Sequence, residues 1–139
     1  MLEAMSEIIV LDTSVIVDQI RTGRHRDRIS NLKGIIRTCS VVLAELWRGA
    51  TSSIDRKSIS ALERNHRILS PTTEDWIDSG KILAKIRGDR GLEAKKLRAL
   101  HFDVLIALTA RHYGATLITT NRADFELIRE YRDFKLEVW

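Results

Sequence analysis

Short apolar runs alternate with helical stretches along the chain. The clearest run is Ile8-Ile9-Val10-Leu11, and a second run, Thr116-Leu117-Ile118-Thr119, is similar in length. Such continuous runs are typical of strands buried on both faces of a parallel sheet. Shorter strand candidates lie at residues 35–38, 67–69 and 134–138. The pattern therefore predicts a mainly parallel sheet of about five strands.

Helical periodicity fills the segments between these strands. Apolar positions recur at helical spacing within residues 42–47, 76–86 and 104–113, which predicts helices that pack against the sheet. Ser40 is the expected cap of the first helix, and Thr72 with Asp75 predicts a capping box at the start of the second. The alternation predicts an α/β fold of three layers, with helices on both faces of the sheet.

The composition fits one soluble domain spanning residues 1–139. Hydrophobic residues make up 44% of the chain, and its single proline, Pro71, lies in no linker-like segment. Cys39 is the only cysteine, which excludes an internal disulfide and a cysteine-based zinc site. Because the sequence shows neither a long apolar span nor a secretory leader, we expect a cytoplasmic protein.

The net charge of +4 is unevenly distributed. Residues 21–37 hold six basic side chains and one acidic one, and residues 81–98 hold seven basic and two acidic ones. Two basic segments on a chain that is otherwise acidic could attract a polyanion, although solvated helix faces would give the same pattern.

Four carboxylates lie beside segments that are expected to be buried. Asp12 ends the first strand, Asp124 follows the strand at 116–119, and Glu45 and Asp103 lie in apolar helical stretches. Each has a structural alternative: Asp12 and Asp124 as helix caps, Glu45 as a partner of Arg48, and Asp103 at the favourable start of a helix. If the four converged they would repel one another unless a cation compensated them, and Mg²⁺ and Mn²⁺ prefer such oxygen ligands.

Four motifs in order give the chain a family resemblance. They are Leu11-Asp12-Thr13-Ser14, Ala44-Glu45-Leu46, Asp103-Val104-Leu105-Ile106-Ala107-Leu108 and Leu117-Ile118-Thr119-Thr120-Asn121-Arg122-Ala123-Asp124-Phe125. Together they resemble the PIN domain, and their order and spacing are similar to those of VapC-type ribonuclease toxins of type II toxin–antitoxin systems. The resemblance covers nearly the whole chain. His101, so close to Asp103, departs from the usual pattern.

The resemblance implies a metal-dependent endoribonuclease, usually dimeric and inhibited by an antitoxin encoded beside it. Its acidic quartet corresponds to Asp12, Glu45, Asp103 and Asp124, which would hold Mg²⁺ or Mn²⁺. Thr13 or Ser14 and Asn121 fall where the family places supporting polar groups. The ion would activate a water that attacks the RNA backbone, leaving a 5′-phosphate and a 3′-hydroxyl.

Other side chains carry weaker expectations. Arg122, Arg98, Lys95 and Lys96 are candidates for RNA phosphate contacts, with solvated helix faces as the alternative. The histidines are expected at the surface or at helix ends: His25, His66, His101 and His112. Trp47 and Trp76 are expected in the core or at a subunit contact, and residues 42–47 and 76–86 are the expected dimer interface.

Three other functions are compatible with parts of this pattern. A phosphoacceptor signalling domain would need an adjacent acidic pair and a later lysine, and neither is in place. A PIN fold could instead bind RNA or an antitoxin without catalysis, in which case the acids would be expendable. A housekeeping RNA-processing nuclease would have the same site and no antitoxin.

Overall fold

A computed structural model describes residues 7–139. Within them, five strands alternate with seven helices. The strands are β1 (Ile8–Leu11), β2 (Ile35–Cys39), β3 (Ile68–Leu69), β4 (Thr116–Thr119) and β5 (Lys135–Val138). The helices are α1 (Thr13–Thr22), α2 (Arg26–Ser30), α3 (Ser40–Gly49), α4 (Ser53–Asn65), α5 (Thr73–Arg90), α6 (Ala94–His112) and α7 (Arg122–Tyr131). The strands match the segments that the sequence predicts to within a residue.

The five strands form one parallel sheet in the order β3-β2-β1-β4-β5. The central strand β1 pairs with β2 on one side and with β4 on the other. Its residues Ile9, Val10 and Leu11 are buried, as expected for a strand covered on both faces. The helices cover both faces, so the predicted three-layer α/β/α architecture is confirmed.

Helix α6 is the longest and most deeply buried helix within residues 7–139. Seven consecutive residues, Val104 to Ala110, are buried beneath its neighbours. It packs against α5, α7 and the sheet. The sequence interpretation that a helix begins at Asp103 is wrong, because α6 begins at Ala94 and Asp103 lies in its middle. The exposed first turns carry lysine and arginine, which are good helix formers that give no apolar stripe.

The predicted capping box of α5 is present, and the predicted cap of α3 is not. Thr72 and Asp75 form the capping box of α5. At α7, Asn121 accepts a hydrogen bond from the backbone N–H of Asp124. The prediction for Ser40 is wrong, because the capping position of α3 belongs to Cys39 and Ser40 is already helical.

Candidate functional site

The carboxyl ends of β1 and β4 meet at one edge of the sheet, where an open parallel sheet usually places its ligands. The backbone N–H of Asp12 donates to the carbonyl of Ile118 at 2.8 Å, which places the first residue after β1 beside the end of β4. Helices α3 and α6 reach the same edge from within the packed layers. This edge is therefore where residues far apart in sequence come together.

Asp12 is a buried carboxylate with two hydroxyl donors. Only 3% of its surface is exposed. Thr119 Oγ1 donates to its Oδ2 at 2.7 Å and Ser14 Oγ donates to the same oxygen at 2.9 Å. Burial raises the pKa of Asp12, and the two hydroxyls oppose that effect without cancelling it. Asp12 also occupies the N-cap position of α1, and the backbone N–H groups of Thr13 and Ser14 lower its pKa as well, so its place at this site is compatible with a capping role.

Glu45 lies on α3 and is anchored to the chain segment that follows β1. Thr13 Oγ1 donates to Glu45 Oε1 at 2.7 Å. Burial raises the pKa of Glu45, the Thr13 hydrogen bond lowers it, and the nearby charge of Asp12 raises it further. Arg48, the structural partner that the sequence suggests, is 3.8 Å from Glu45 Oε2, which is too long for a hydrogen bond.

Asp103 is the most strongly perturbed of the four acids. Burial is the main cause, and the charges of Asp12, Glu45 and Asp124 add to it, which together raise the pKa of Asp103 to about 8. Lys96 acts in the opposite direction. A carboxyl group in this position is reluctant to ionise unless positive charge is brought to it. The structure thus brings the four acids close enough to influence one another.

Asp124 is held from two sides. Lys96 Nζ lies 2.9 Å from its Oδ1, and Asn121 Nδ2 donates to its Oδ2 at 3.0 Å. Lys96 comes from the exposed first turns of α6, and Asp124 from the start of α7. A lysine ammonium therefore provides part of the positive charge that this group of acids needs. Lys96 is thus paired with Asp124, one of the four predicted site acids.

The donor set fits a hard divalent cation in kind. All four acids offer carboxylate oxygens, which Mg²⁺ and Mn²⁺ prefer. In the arrangement described for residues 7–139, however, no three acidic, histidine or cysteine side chains are positioned to hold one ion together. The charges of Asp12, Glu45 and Asp124 nevertheless contribute to the raised pKa of Asp103. Hydroxyl, amide and ammonium donors contact the carboxylate oxygens of Asp12, Glu45 and Asp124.

The sequence analysis does not predict one residue of this site. Thr119, the last residue of β4, is fully buried, and its hydroxyl joins Asp12 to the backbone N–H of Asn121. The available signal was a polar residue that ends an apolar strand. Its contact with Asp12 depends on the pairing of β1 with β4, which strand patterns do not reveal.

The remaining predicted residues are dispersed. Arg122 pairs with Glu126 one turn along α7, Arg98 lies beside Glu45 in a small cavity, and Lys95 is exposed. His66 and His112 lie at helix ends and His25 caps α2 although it is buried. The expectation for His101 is wrong: it lies inside α6, partly buried, within hydrogen-bonding distance of Ser79.

The two tryptophans are not core residues. Trp47 is 38% exposed and Trp76 is 51% exposed. The indole N–H of Trp47 donates to Glu63 on α4, so this ring lies along a neighbouring helix of its own chain. Trp76 lies edge-on to His101 and leaves half of its surface uncovered.

Comparison with known proteins identifies the class of domain. Residues 9–131 match the family model of the PIN domain. The chain therefore belongs to the PIN domain family. No curated protein matches the chain.

Several solved structures share the fold, among them VapBC toxin–antitoxin complexes. One is VapBC2 from Rickettsia felis bound to a promoter DNA fragment, with 22% identity, a TM-score of 0.72, and 95% of this chain and 98% of that chain covered. Another is VapBC-1 from nontypeable Haemophilus influenzae, with 24% identity, a TM-score of 0.71 and the same coverage of 95% and 98%. FitAcB from Neisseria gonorrhoeae has 22% identity and a TM-score of 0.65, with 92% and 95% covered. At these identities the likeness shows the fold.

Proposed function

We propose that this PIN domain is a metal-dependent endoribonuclease of the VapC type, the toxin of a toxin–antitoxin pair. The observation that carries the proposal is that the charges of Asp12, Glu45 and Asp124, from separate parts of the chain, add to the effect of burial in raising the pKa of Asp103 to about 8. Asp12 and Asp124 also lie at the starts of α1 and α7, but the concentration of four acids at the ligand-binding edge of a parallel sheet favours a functional role. The fold shared with toxin–antitoxin complexes supports the same assignment.

Asp12, Glu45, Asp103 and Asp124 would hold Mg²⁺ or Mn²⁺. When bound, such an ion activates water for attack on phosphorus and offsets the negative charge that develops on the phosphate oxygens. The chain's own groups orient the acids for this task. Thr13 fixes Glu45, Ser14 and Thr119 fix Asp12, and Asn121 fixes Asp124.

Basic side chains near these acids would position the RNA. Lys96 already lies at Asp124, and Arg98 lies beside Glu45. Lys95 and Arg122 are exposed on the adjoining turns. Contacts of this kind hold the phosphate backbone in register without reading the base sequence. Among the described residues, no helix meets the length and hydropathy that a membrane span requires. We propose that the protein acts in the cytoplasm, because its proposed substrate is RNA.

Cleavage of end-labelled total RNA tests the proposal. Purified protein is incubated with Mg²⁺, Mn²⁺ or EDTA, and the wild type is compared with Asp12→Asn and Asp103→Asn. We expect metal-dependent cuts that fall at least about 100-fold in both variants, as is common when a group that stabilises the transition state is removed. Asp133→Asn is the matched control, because Asp133 is an exposed aspartate away from the four acids and its loss should leave the cuts unchanged.

Each result discriminates between the candidate functions. Cuts that persist in EDTA or in both site variants would contradict a metal-dependent nuclease. RNA binding by folded wild-type protein, without cleavage under any metal, would instead favour a non-catalytic module in which the acids are structural. Metal-dependent cleavage that has no effect on growth when the protein is expressed would favour a housekeeping nuclease over a toxin.

An apolar groove supports the proposal of an antitoxin partner. A cavity of about 320 Å³ opens between α1, α2, β2 and α4 and contains none of the four acids. Ile16, Ile20 and Ile29 are among its apolar lining residues, and Arg26 and Arg37 add positive charge. These arginines belong to the basic segment 21–37. The groove therefore suits a partner segment with an apolar face and acidic flanks.

Charge reversal in this groove tests the partner. The product of the adjacent gene is co-expressed with the PIN domain, and the affinity of the two purified proteins is measured. We expect Arg26→Glu to weaken the complex roughly tenfold or more, because it replaces attraction by like-charge repulsion. Lys33→Glu makes the same change of charge in the same basic segment, on an exposed residue outside the groove. Equal effects of the two substitutions would refute docking in this groove.

We also propose a homodimer. Trp76 and Ile77 protrude from α5, with 51% and 56% exposure. Beside Trp76 lies a cavity of about 350 Å³, whose apolar lining includes Val41 and Phe102. A two-fold dimer buries the same patch on both subunits. A projection next to a hollow on one face is therefore suited to a second copy of the chain.

A further inference from the structure

A small cavity adjoins the acids on the side of Glu45. Its volume is about 100 Å³, and it is lined by Glu45, Arg48, Arg98, Ala99 and Phe102. Helix α3 supplies two of these residues and α6 supplies three. Because Glu45 belongs both to this cavity and to the group of acids, a ligand in the cavity would lie next to a ligand at the acids.

Arg48 is held in this cavity by an aromatic ring as well as by the charge of a carboxylate. Its guanidinium carbon lies 5.5 Å from the centre of the Phe102 ring, within the range of a cation–π contact. Its distance of 3.8 Å from Glu45 Oε2 allows Coulomb attraction without a hydrogen bond. A ring face accepts no conventional hydrogen bond, so the N–H donors of Arg48 stay available while its position is constrained. The side chain is 71% exposed and open to a ligand.

The charge balance of the cavity favours an anion. Two arginines face a single carboxylate, Glu45, whose Oε1 already accepts the hydroxyl of Thr13. Guanidinium groups bind phosphate through paired N–H donors. The cavity therefore has the charge and the donors to bind a phosphodiester, and it is too small to enclose a base.

We propose that Arg48 and Arg98 bind the RNA phosphate next to the one that is cleaved, and that Phe102 holds Arg48 in position for this contact. This inference rests on the proposed nuclease function and extends it to a second phosphate subsite. The distance of 3.8 Å between Arg48 and Glu45 Oε2 agrees with this assignment, because it leaves the donors of Arg48 for the substrate and Glu45 Oε2 for the cation. The opposing explanation is that Arg48 serves only to compensate Glu45.

Salt-dependent RNA binding separates the two explanations. A fluorescein-labelled single-stranded RNA is titrated with Asp103→Asn protein in Mg²⁺ at several salt concentrations, so that it is bound without being cut. Losing one phosphate contact to a single strand lowers the slope of log affinity against log salt by about 0.7. We expect that decrease, with roughly tenfold weaker binding, for Arg48→Gln and for Arg98→Gln in this background.

Two further variants make the test specific. Phe102→Leu keeps both positive charges and removes the ring, so we expect weaker binding with an unchanged salt slope. Arg64→Gln removes an exposed arginine from the last turn of α4 that does not line this cavity. This control should change neither the affinity nor the slope. Thermal unfolding of each variant shows whether it remains folded.

The outcomes for the subsite and for the nuclease differ. If Arg48→Gln changes Mn²⁺ affinity but leaves the salt slope at the Arg64→Gln value, Arg48 only compensates Glu45 and the inference is overturned. The nuclease proposal would then stand on the cleavage assay alone. If the wild type neither binds nor cleaves any RNA, the proposed function fails first. In active protein, Arg48→Gln should raise KM more than it lowers kcat, because it removes a contact to a phosphate that is not itself cleaved.

Discussion

Asp103 shows how strongly the environment of one residue can oppose its charge. Its pKa of about 8 in the folded protein lies far above the ordinary value of 3.8, first because of burial and then because of the neighbouring acids. Between these two values the folded protein keeps a proton that the unfolded chain has lost. Stability therefore falls as pH rises through this window when no cation compensates the acids.

The pH dependence of unfolding tests this conclusion. In EDTA, the free energy of unfolding should fall between pH 5 and pH 8, by up to about 1.4 kcal/mol per pH unit for one proton. Asp103→Asn should flatten this dependence and should be more stable than the wild type at pH 8, whereas the exposed Asp133→Asn should follow the wild type. Urea unfolding at each pH provides the measurement. A wild type that becomes more stable with rising pH would contradict the raised pKa.

The residues of the site could be proposed from sequence, but their proximity in space could not. Asp12 and Asp124 were recognisable because each follows an apolar strand. The contact of Thr119 with Asp12 joins residues that are 107 positions apart, and it exists only because β4 pairs with β1. Local patterns carry no information about which strands become neighbours, so the convergence required the fold.

At the scale of elements, the contact between α5 and α6 contains a buried polar connection. Ser79 on α5 is fully buried, and its hydroxyl donates to the carbonyl of Trp76 at 2.6 Å. The same oxygen lies 2.9 Å from His101 Nε2. Because the single hydroxyl proton is directed to the carbonyl, His101 is the donor in the second bond. The two longest helices are thus linked by a histidine that lies two residues before Asp103.

Removing the Ser79 hydroxyl should destabilise the protein. Ser79→Ala leaves the His101 N–H without its acceptor, and we expect a loss of about 1–2 kcal/mol in urea unfolding. Adding His101→Leu should recover part of this loss, because the double variant no longer buries an unpaired donor. Ser30→Ala removes a comparable serine-to-backbone bond from an exposed helix and should cost less. If Ser79→Ala and His101→Leu changed the free energy of unfolding additively, the two side chains would not be connected.

Element boundaries show where sequence patterns stop being informative. Helix α2 has five residues, which is too short for helical periodicity to mark it. The first half of α6 was missed because Lys95, Lys96 and Arg98 face solvent and interrupt the apolar stripe. The sheet was easier to predict, since β1 and β4 are continuous apolar runs. Buried strands can be predicted from their apolar sequence, whereas exposed helical turns have no such pattern.

At the scale of the whole molecule, the exposed face of α5 gives a test of the homodimer. Analytical ultracentrifugation should show a dimer for the wild type and a 15.9 kDa monomer for Ile77→Glu, because a charge in a paired apolar patch must be desolvated. Ile54→Glu is the matched control, since Ile54 is 68% exposed on a different helix, α4. A wild type that is monomeric at micromolar concentration would refute the proposal.

The pairing of β1 with β4 also determines when the site can exist during synthesis. The strand that carries Asp12 leaves the ribosome early, but its neighbour β4 begins only at Thr116. Pairings between distant segments form late, because the closure entropy must first be overcome. A nascent chain that lacks β4 has neither Thr119 nor Asp124, so it cannot assemble the four acids. The proposed RNA-cleaving site therefore cannot form before Asp124 has been synthesised.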